Sequence, residues 1–368
     1  MVVVVKAGKI LLSFVYAVFK LFPSQKNKVL FLSRQSNELT LDFKMLKEEL
    51  EKQKKDIKIV SICNRMDDKK EGMIKFGINI IRSMYHLSTS RVCVLDAYWP
   101  AVSLLRHKKS LTVIQMWHAL GKIKQSGYQT IGKESGRSQK VSELLCMHRN
   151  YDYIIAGGSA WNPFYVASFD TTEDKLVNIG LPRIDYLLNV AEDNRKRAYE
   201  KYPEFQEKQV ILYTPTFRRG YDLEWEELVD HIDFEKYVLI IKGHPNQKIE
   251  SDNENVLTCP EFSAVELLAS CDYLITDYSA IAVEGAILNK KTYYYLFDYE
   301  QYTTKNGLNV DPFDSMPGCA FKDAKELVKD LESGNYKQEV LDEYRRRYLP
   351  ENLGTSTKKL AQLVISRL

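Results

Sequence analysis

The stretch from Asp272 to Tyr295, DYLITDYSAIAVEGAILNKKTYYY, constrains the fold of this chain more than any other. Tyr273 to Thr276 is a short apolar run that ends at Asp277 and Ser279 and reads as a buried strand. Ser279 is placed to cap the apolar, alanine-containing segment that reaches Leu288. Lys291 to Leu296 follows as a second strand, because Thr292, Tyr293, Tyr294 and Tyr295 favour a pleated backbone over a helix. The result is a β-α-β unit. In an open α/β sheet the carboxyl ends of the strands, with the helix N-termini that follow, receive anionic ligands because free N–H groups point outward there. Asp277 and Ser279 read equally as ligand contacts and as helix caps.

The same alternation runs through the rest of the chain. Strand patterns occupy Lys28 to Leu32, Ile57 to Ile62, Arg91 to Leu95, Thr112 to Met116, Asp152 to Ala156 and Val177 to Ile179. Helical spacing covers Leu39 to Leu50 and Gly72 to His86 between the first three. A second series begins with strands at Val210 to Tyr213, Tyr237 to Ile241 and Val256 to Thr258, with a helix at Phe262 to Ala269. This order predicts an α/β fold in which each half carries a doubly wound parallel sheet covered on both faces. With 368 residues the chain is long enough for two such domains, and 45% apolar against 27% charged residues is the composition of a folded protein. The loop Gly180 to Asp185 and the charged segment from Asp193 to Lys208 mark the expected boundary. The expected domains are 27–190 and 191–368, preceded by a separate segment 1–26, with closing helices able to pack back on the first domain.

That leading segment is almost wholly apolar from Ile10 to Phe19 and is flanked by Lys6, Lys9, Lys20 and Lys26. Lys20 interrupts it before the roughly 20 residues a spanning helix needs. It reads as a helix lying in the cytoplasmic face of a membrane, with Phe14, Tyr16, Phe19, Leu21 and Phe22 in the interface and the lysines on anionic headgroups. Packing on the protein's own core and a secretory signal are the alternatives. The formal charge of +3 suits an anionic small molecule or lipid surface, and the basic residues form no sustained stripe of the kind nucleic acid requires. The six cysteines are scattered without a C-x-x-C pair and read as core residues, and the histidines form no metal-binding pattern.

The polar groups cluster at strand ends. His118 lies just past the strand Thr112 to Met116, where an imidazole has the right pKa range to accept a proton if a partner orients the ring. A structural histidine bonded to backbone is the alternative. In the second half, three strand ends deliver Thr214, Thr216 and Arg218, then Lys242 and His244, then Asp277 and Ser279. Cations, hydroxyls and a helix start in one place are what a phosphate or diphosphate pocket requires.

Taken together, five segments resemble the CDP-glycerol glycerophosphotransferase family of teichoic-acid biosynthesis, which includes ribitol-phosphate transferases. They are Trp117-His118 with the glycine and lysine after it, Gly180 to Asp185, Thr214 to Arg218, Lys242 to Pro245, and Thr276 to Ala280, in the family's order. The resemblance implies a GT-B architecture, with two Rossmann-like domains facing across a cleft and the nucleotide donor bound mainly by the second. It implies that His118 is the general base toward an acceptor hydroxyl and that His244, the second catalytic residue, contacts the donor diphosphate and stabilises developing charge or the leaving phosphate. Arg183, Thr214, Thr216, Arg218, Lys242, Asp277 and Ser279 complete the expected donor-binding set, with Asp277 orienting the polyol or a neighbouring donor. The donor would be CDP-glycerol or CDP-ribitol, and the acceptor a membrane-linked glycan or polyol-phosphate chain. Two departures stand out: Ala119-Leu120-Gly121 follows His118 where relatives have glycine and then threonine-proline, and Phe217 replaces a common tryptophan. A GT-B nucleotide-sugar glycosyltransferase and a non-catalytic nucleotide-binding protein are the competing readings.

Overall fold

The computed structural model describes residues 2–65, 70–134, 136–218, 223, 225–243 and 253–368. The chain divides into two compact units: Met1–Ala119, Gln125–Asp185 and Pro350–Leu368 form unit 1, and Leu120–Lys124 with Tyr186–Leu349 form unit 2.

Unit 1 is built on a six-stranded parallel sheet of β1 (Lys28–Ser33), β2 (Lys58–Cys63), β3 (Val92–Leu95), β4 (Thr112–Gln115), β5 (Tyr153–Ala156) and β6 (Leu176–Asn178), in the order β2-β1-β3-β4-β5-β6. Every residue of β1 and β3 is buried, as expected of central strands covered on both faces, whereas the edge strands β2 and β6 are partly exposed. Helices α1 (Val2–Phe19), α2 (Leu41–Gln53) and α3 (Lys70–Thr89) belong to this unit; α3 packs against α1, and the closing helix Ser356–Ile365 packs against α2.

Unit 2 repeats the plan with β7 (Gln209–Thr214), β8 (Tyr237–Ile241), β9 (Val256–Leu257), β10 (Tyr273–Thr276), β11 (Lys291–Tyr295) and β12 (Ala320–Phe321), all parallel, in the order β12-β11-β10-β7-β8-β9. Beneath β7, β8 and β10, Leu212, Ile240, Leu267 and Leu274 are completely buried in one apolar cluster. The two sheets, each flanked by helices, make a GT-B-like two-domain α/β architecture. In each sheet the winding direction reverses once, between β1 and β3 and between β7 and β10, and those reversals are where doubly wound sheets place ligands.

Two local expectations differ from the structure. The Gly180 to Asp185 segment is not a free loop, because Pro182 opens a 20-residue helix, Pro182–Lys201, that also absorbs much of the charged segment. Proline is favoured at a first helical position, where no N–H is needed. The helix after β10 runs Ile281–Ile287 with Ala280 at its N-cap position, and Ser279 accepts only a long 3.5 Å hydrogen bond from Ile281 N.

Candidate functional site

In unit 1, the strand ends around the β1/β3 reversal build a small cavity of about 160 Å3 lined by Gln35, Thr40, Asp42, Asp96, Trp117, His118 and Arg183. At the carboxyl end of β1, Ser33 Oγ donates to Asp96 Oδ2 at 2.6 Å, and Arg34 N donates to Oδ1 at 3.2 Å. Asp96 is buried, and burial is the largest cause lifting its carboxyl to about 6; the Ser33 and Arg34 hydrogen bonds act in the opposite direction.

His118 Nδ1 lies 2.9 Å from the Asp96 carbonyl oxygen and 3.3 Å from the Gln35 side-chain amide. A carbonyl oxygen can only accept, so Nδ1 carries the proton toward Asp96 and Nε2 is the basic nitrogen. Trp117 adopts φ 65°, a left-handed backbone that a bulky residue occupies only where its surroundings enforce it. Its N–H donates to Gln115 Oε1 at 2.9 Å and its indole stands 4.2 Å from the His118 ring, so the strained residue sets the imidazole.

Arg183 lines the same cavity. Its N and Nε donate to Asp42 Oδ1 and Oδ2 at 2.8 and 2.9 Å, and Nη2 also pairs with Oδ2. Two residues on, Asp185 accepts from Ser356 N at 3.1 Å and Thr357 N at 2.8 Å, receiving the start of the closing helix. Gly180, at φ +72°, has no room for a Cβ, which would stand 2.5 Å from Ile184 Cδ1. The charges of this motif therefore hold unit 1 together. Arg183, expected in the donor-binding set, pairs with Asp42 in the cavity that also holds His118.

In unit 2, the β7/β10 reversal carries a buried ionic cluster. Asp277 Oδ1 and Oδ2 accept from Thr216 Oγ1 at 2.6 Å and Thr216 N at 2.8 Å. Arg218 pairs through Nη1 with Asp277 at 2.9 Å and Thr216 O at 2.8 Å, and through Nε and Nη2 with Asp298 at 2.6 and 3.0 Å. The faces of Tyr278 and Tyr302 lie 5.2 and 4.8 Å from the guanidinium carbon. Expected to hold phosphate oxygens, Arg218 is buried and committed to two carboxylates. Thr214 Oγ1 reaches Ile275 O at 3.5 Å inside the sheet, and Ser279 is half-buried at the rim.

Two further cations of unit 2 have donors to spare among the described residues. Lys242 donates to Thr258 O at 2.9 Å and Cys259 O at 3.0 Å, which leaves its third N–H without a partner among the described residues. Burial lowers its pKa. Lys124 feels the charges of Asp277 and Arg218; burial is the main cause lowering its pKa, and among the described residues its ammonium has no hydrogen-bond partner. The chain passes from Ala119 of unit 1 into Leu120–Lys124 of unit 2, where Asn309 N donates to Ile123 O at 2.8 Å and the Asn309 amide donates to Lys122 O at 2.9 Å. His244 lies outside the described residues.

Asp96, Lys124 and Asp298 were not anticipated from sequence. Asp96 directly follows β3, as His118 closely follows β4, so applying the strand-end rule to every strand singles it out. Lys124 falls in the lysine-containing stretch after His118, but nothing in its spacing assigns it to unit 2. Among the described residues, no group of three or more His, Cys, Asp or Glu is arranged to hold a metal ion.

Comparison with known proteins adds independent findings. The family model for CDP-Glycerol:Poly(glycerophosphate) glycerophosphotransferase matches residues 14–366. The teichoic acid ribitol-phosphate primase of Bacillus spizizenii is 30% identical over 95% of this chain and 93% of its own length. The teichoic acid poly(ribitol-phosphate) polymerase of the same organism is 27% identical, and the match spans 60% of that longer protein. Among solved structures, the wall teichoic acid polymerase TagF superposes with a TM-score of 0.73 at 19% identity, over 96% of this chain and 92% of that one.

Proposed function

This chain belongs to the CDP-glycerol glycerophosphotransferase family and transfers a CDP-activated polyol phosphate in teichoic-acid biosynthesis, and we propose that His118 is the general base of that transfer. The observation that carries this role is the Nδ1 hydrogen bond to the Asp96 carbonyl, which leaves Nε2 as the proton acceptor. His118 Nε2 takes the proton of an acceptor hydroxyl, that oxygen forms a new bond to the polyol-bearing phosphorus, and the bond from this phosphorus to CMP breaks. Such a reaction needs an in-line nucleophile and compensation for spread negative charge more than covalent help.

On the donor side, Lys124 and Lys242 are the cations that meet the diphosphate, because each retains an open donor. Thr216 and Ser279 contribute hydroxyls, and Thr214 supports them from within the sheet. Asp277 fixes Thr216, and Arg218 acts on phosphate only through Asp277 and Asp298. His244 keeps the catalytic, donor-contacting role that the family resemblance implies. Arg183 positions Asp42 beside His118 rather than touching the nucleotide. The acceptor is a membrane-linked glycan or a polyol-phosphate chain, and the donor is CDP-glycerol or CDP-ribitol.

We place the protein peripherally on the cytoplasmic face of the membrane. Among the described residues, no helix is long and apolar enough to cross a bilayer. On α1, Ile10, Leu11 and Phe14 are 73%, 64% and 70% exposed, while Tyr16 is buried with its hydroxyl 2.7 Å from His107 Nδ1. Tyr16 thus faces the protein rather than the interface, and α1 is docked on one side and apolar on the other.

The test is CMP release with CDP-glycerol and with CDP-ribitol, each offered a lipid-linked disaccharide and a glycerol-phosphate-primed form of it. Selective release with one donor and one acceptor identifies the reaction; no release in any pairing refutes it.

A further inference from the structure

Helix α3, which packs against α1, also carries exposed apolar side chains: Met73, Ile74, Ile78 and Ile81 are each at least half exposed. Immediately beside α1 a cavity of about 500 Å3 opens, within the roughly 300–1,000 Å3 of small-ligand sites. Its walls carry Lys9, Lys20, Arg106 and Arg149, and no acidic side chain lines it. Among the described residues none of the four cations has a carboxylate within ion-pair distance. Lys9 donates to Cys146 Sγ at 3.3 Å, Arg149 to the same sulfur at 3.7 Å, and Lys20 to the Arg106 carbonyl at 3.3 Å. The excess charge is felt nearby: after burial, the Lys20 charge lowers the Lys108 pKa. Four cations lining one cavity, with no carboxylate beside them among the described residues, give it a positive field that favours an anion.

We propose that this cavity is a binding site for the phosphate group of an anionic membrane lipid, whose acyl chains lie along the exposed faces of α1 and α3. Apolar side chains at the surface and unneutralised cations one helix face away match the two halves of a phospholipid. The site rests on the peripheral membrane reading above and adds to it a defined headgroup pocket, with α3 as a second inserted helix.

Co-sedimentation with vesicles separates the two ideas. Vesicles of pure phosphatidylcholine report the apolar face alone, and vesicles in which part of it is replaced by phosphatidylglycerol add the headgroup term. The double variant Arg106→Gln/Arg149→Gln removes two exposed cations, and Lys325→Gln/Lys329→Gln removes the same charge from an exposed face of unit 2. The expected result is that the first variant binds phosphatidylglycerol vesicles roughly 30-fold more weakly, about fivefold per cation, while the second binds like the wild type. Phosphatidylcholine binding should be equal in all three. Equal losses in both variants would mean diffuse surface charge and overturn the pocket. So would wild-type binding indifferent to phosphatidylglycerol. Loss of all vesicle binding by the wild type would overturn the peripheral reading itself.

Discussion

Replacing Arg218 with methionine separates a structural cation from a substrate-binding one. The guanidinium makes four polar contacts between 2.6 and 3.0 Å, to Asp277, Asp298 and Thr216 O, and the three charged side chains are no more than 3% exposed. Methionine fills much of the volume but leaves Asp277 and Asp298 as uncompensated buried carboxylates. Removing one partner from a buried ion pair typically costs about 3–5 kcal/mol. In the isosteric comparison, Asp277→Asn keeps an oxygen for Thr216 and Arg218, and its cost should stay near the roughly 1–3 kcal/mol of a perturbed buried hydrogen bond. Urea unfolding followed by circular dichroism should therefore rank Arg218→Met well below Asp277→Asn, with both below wild type. At temperatures where Arg218→Met remains folded, turnover should fall as well, because Asp277, which sets Thr216, loses the cation that holds it in place. A stable Arg218→Met protein, within about 1 kcal/mol of wild type and altered only in donor KM, would show that Arg218 serves the phosphate directly.

Asp96 supplies a pH test. Its folded pKa of about 6 lies above the ordinary carboxyl value, so the folded state holds the extra proton between about pH 4 and 6 and loses stability as pH rises through that window. Asp96→Asn has no such charge, and its stability relative to wild type should improve by roughly 1–3 kcal/mol between pH 4 and pH 7. A stability difference independent of pH would place the carboxyl outside this titration. Lys124→Gln should weaken donor binding, measured calorimetrically, by roughly 10- to 100-fold, as expected for a charge-assisted hydrogen bond, without loss of thermal stability. Unaltered donor affinity would remove Lys124 from the phosphate site.

The strands were legible in sequence because central parallel strands are unbroken apolar runs, as in VLFL of β1 and YLIT of β10, each closed by polar residues. The ends of those runs also exposed His118, Thr216 and Asp277, since the chain must turn there. Partnerships were not legible. Arg183 and Asp42 are separated by 141 residues, and Arg218 and Asp298 by 80, so whether each cation faces a ligand or a carboxylate depends on topology rather than spacing. The face of α1 was ambiguous for a related reason: apolar residues surround the helix, and its packing, with Tyr16 against His107 and Phe19 against Tyr85, decides which side is inward. The position of Asp96 at the end of β3 was legible, but its partnership was not, because its backbone carbonyl, and not its side chain, orients His118.

The most direct test of the central claim pairs donor binding with single-turnover CMP release for His118→Ala and wild type, with the donor and acceptor that support activity. The general-base role predicts unchanged donor affinity and release slowed by at least roughly 100-fold across neutral pH. Weakened donor affinity with release at the wild-type rate would contradict it and would make His118 a binding residue.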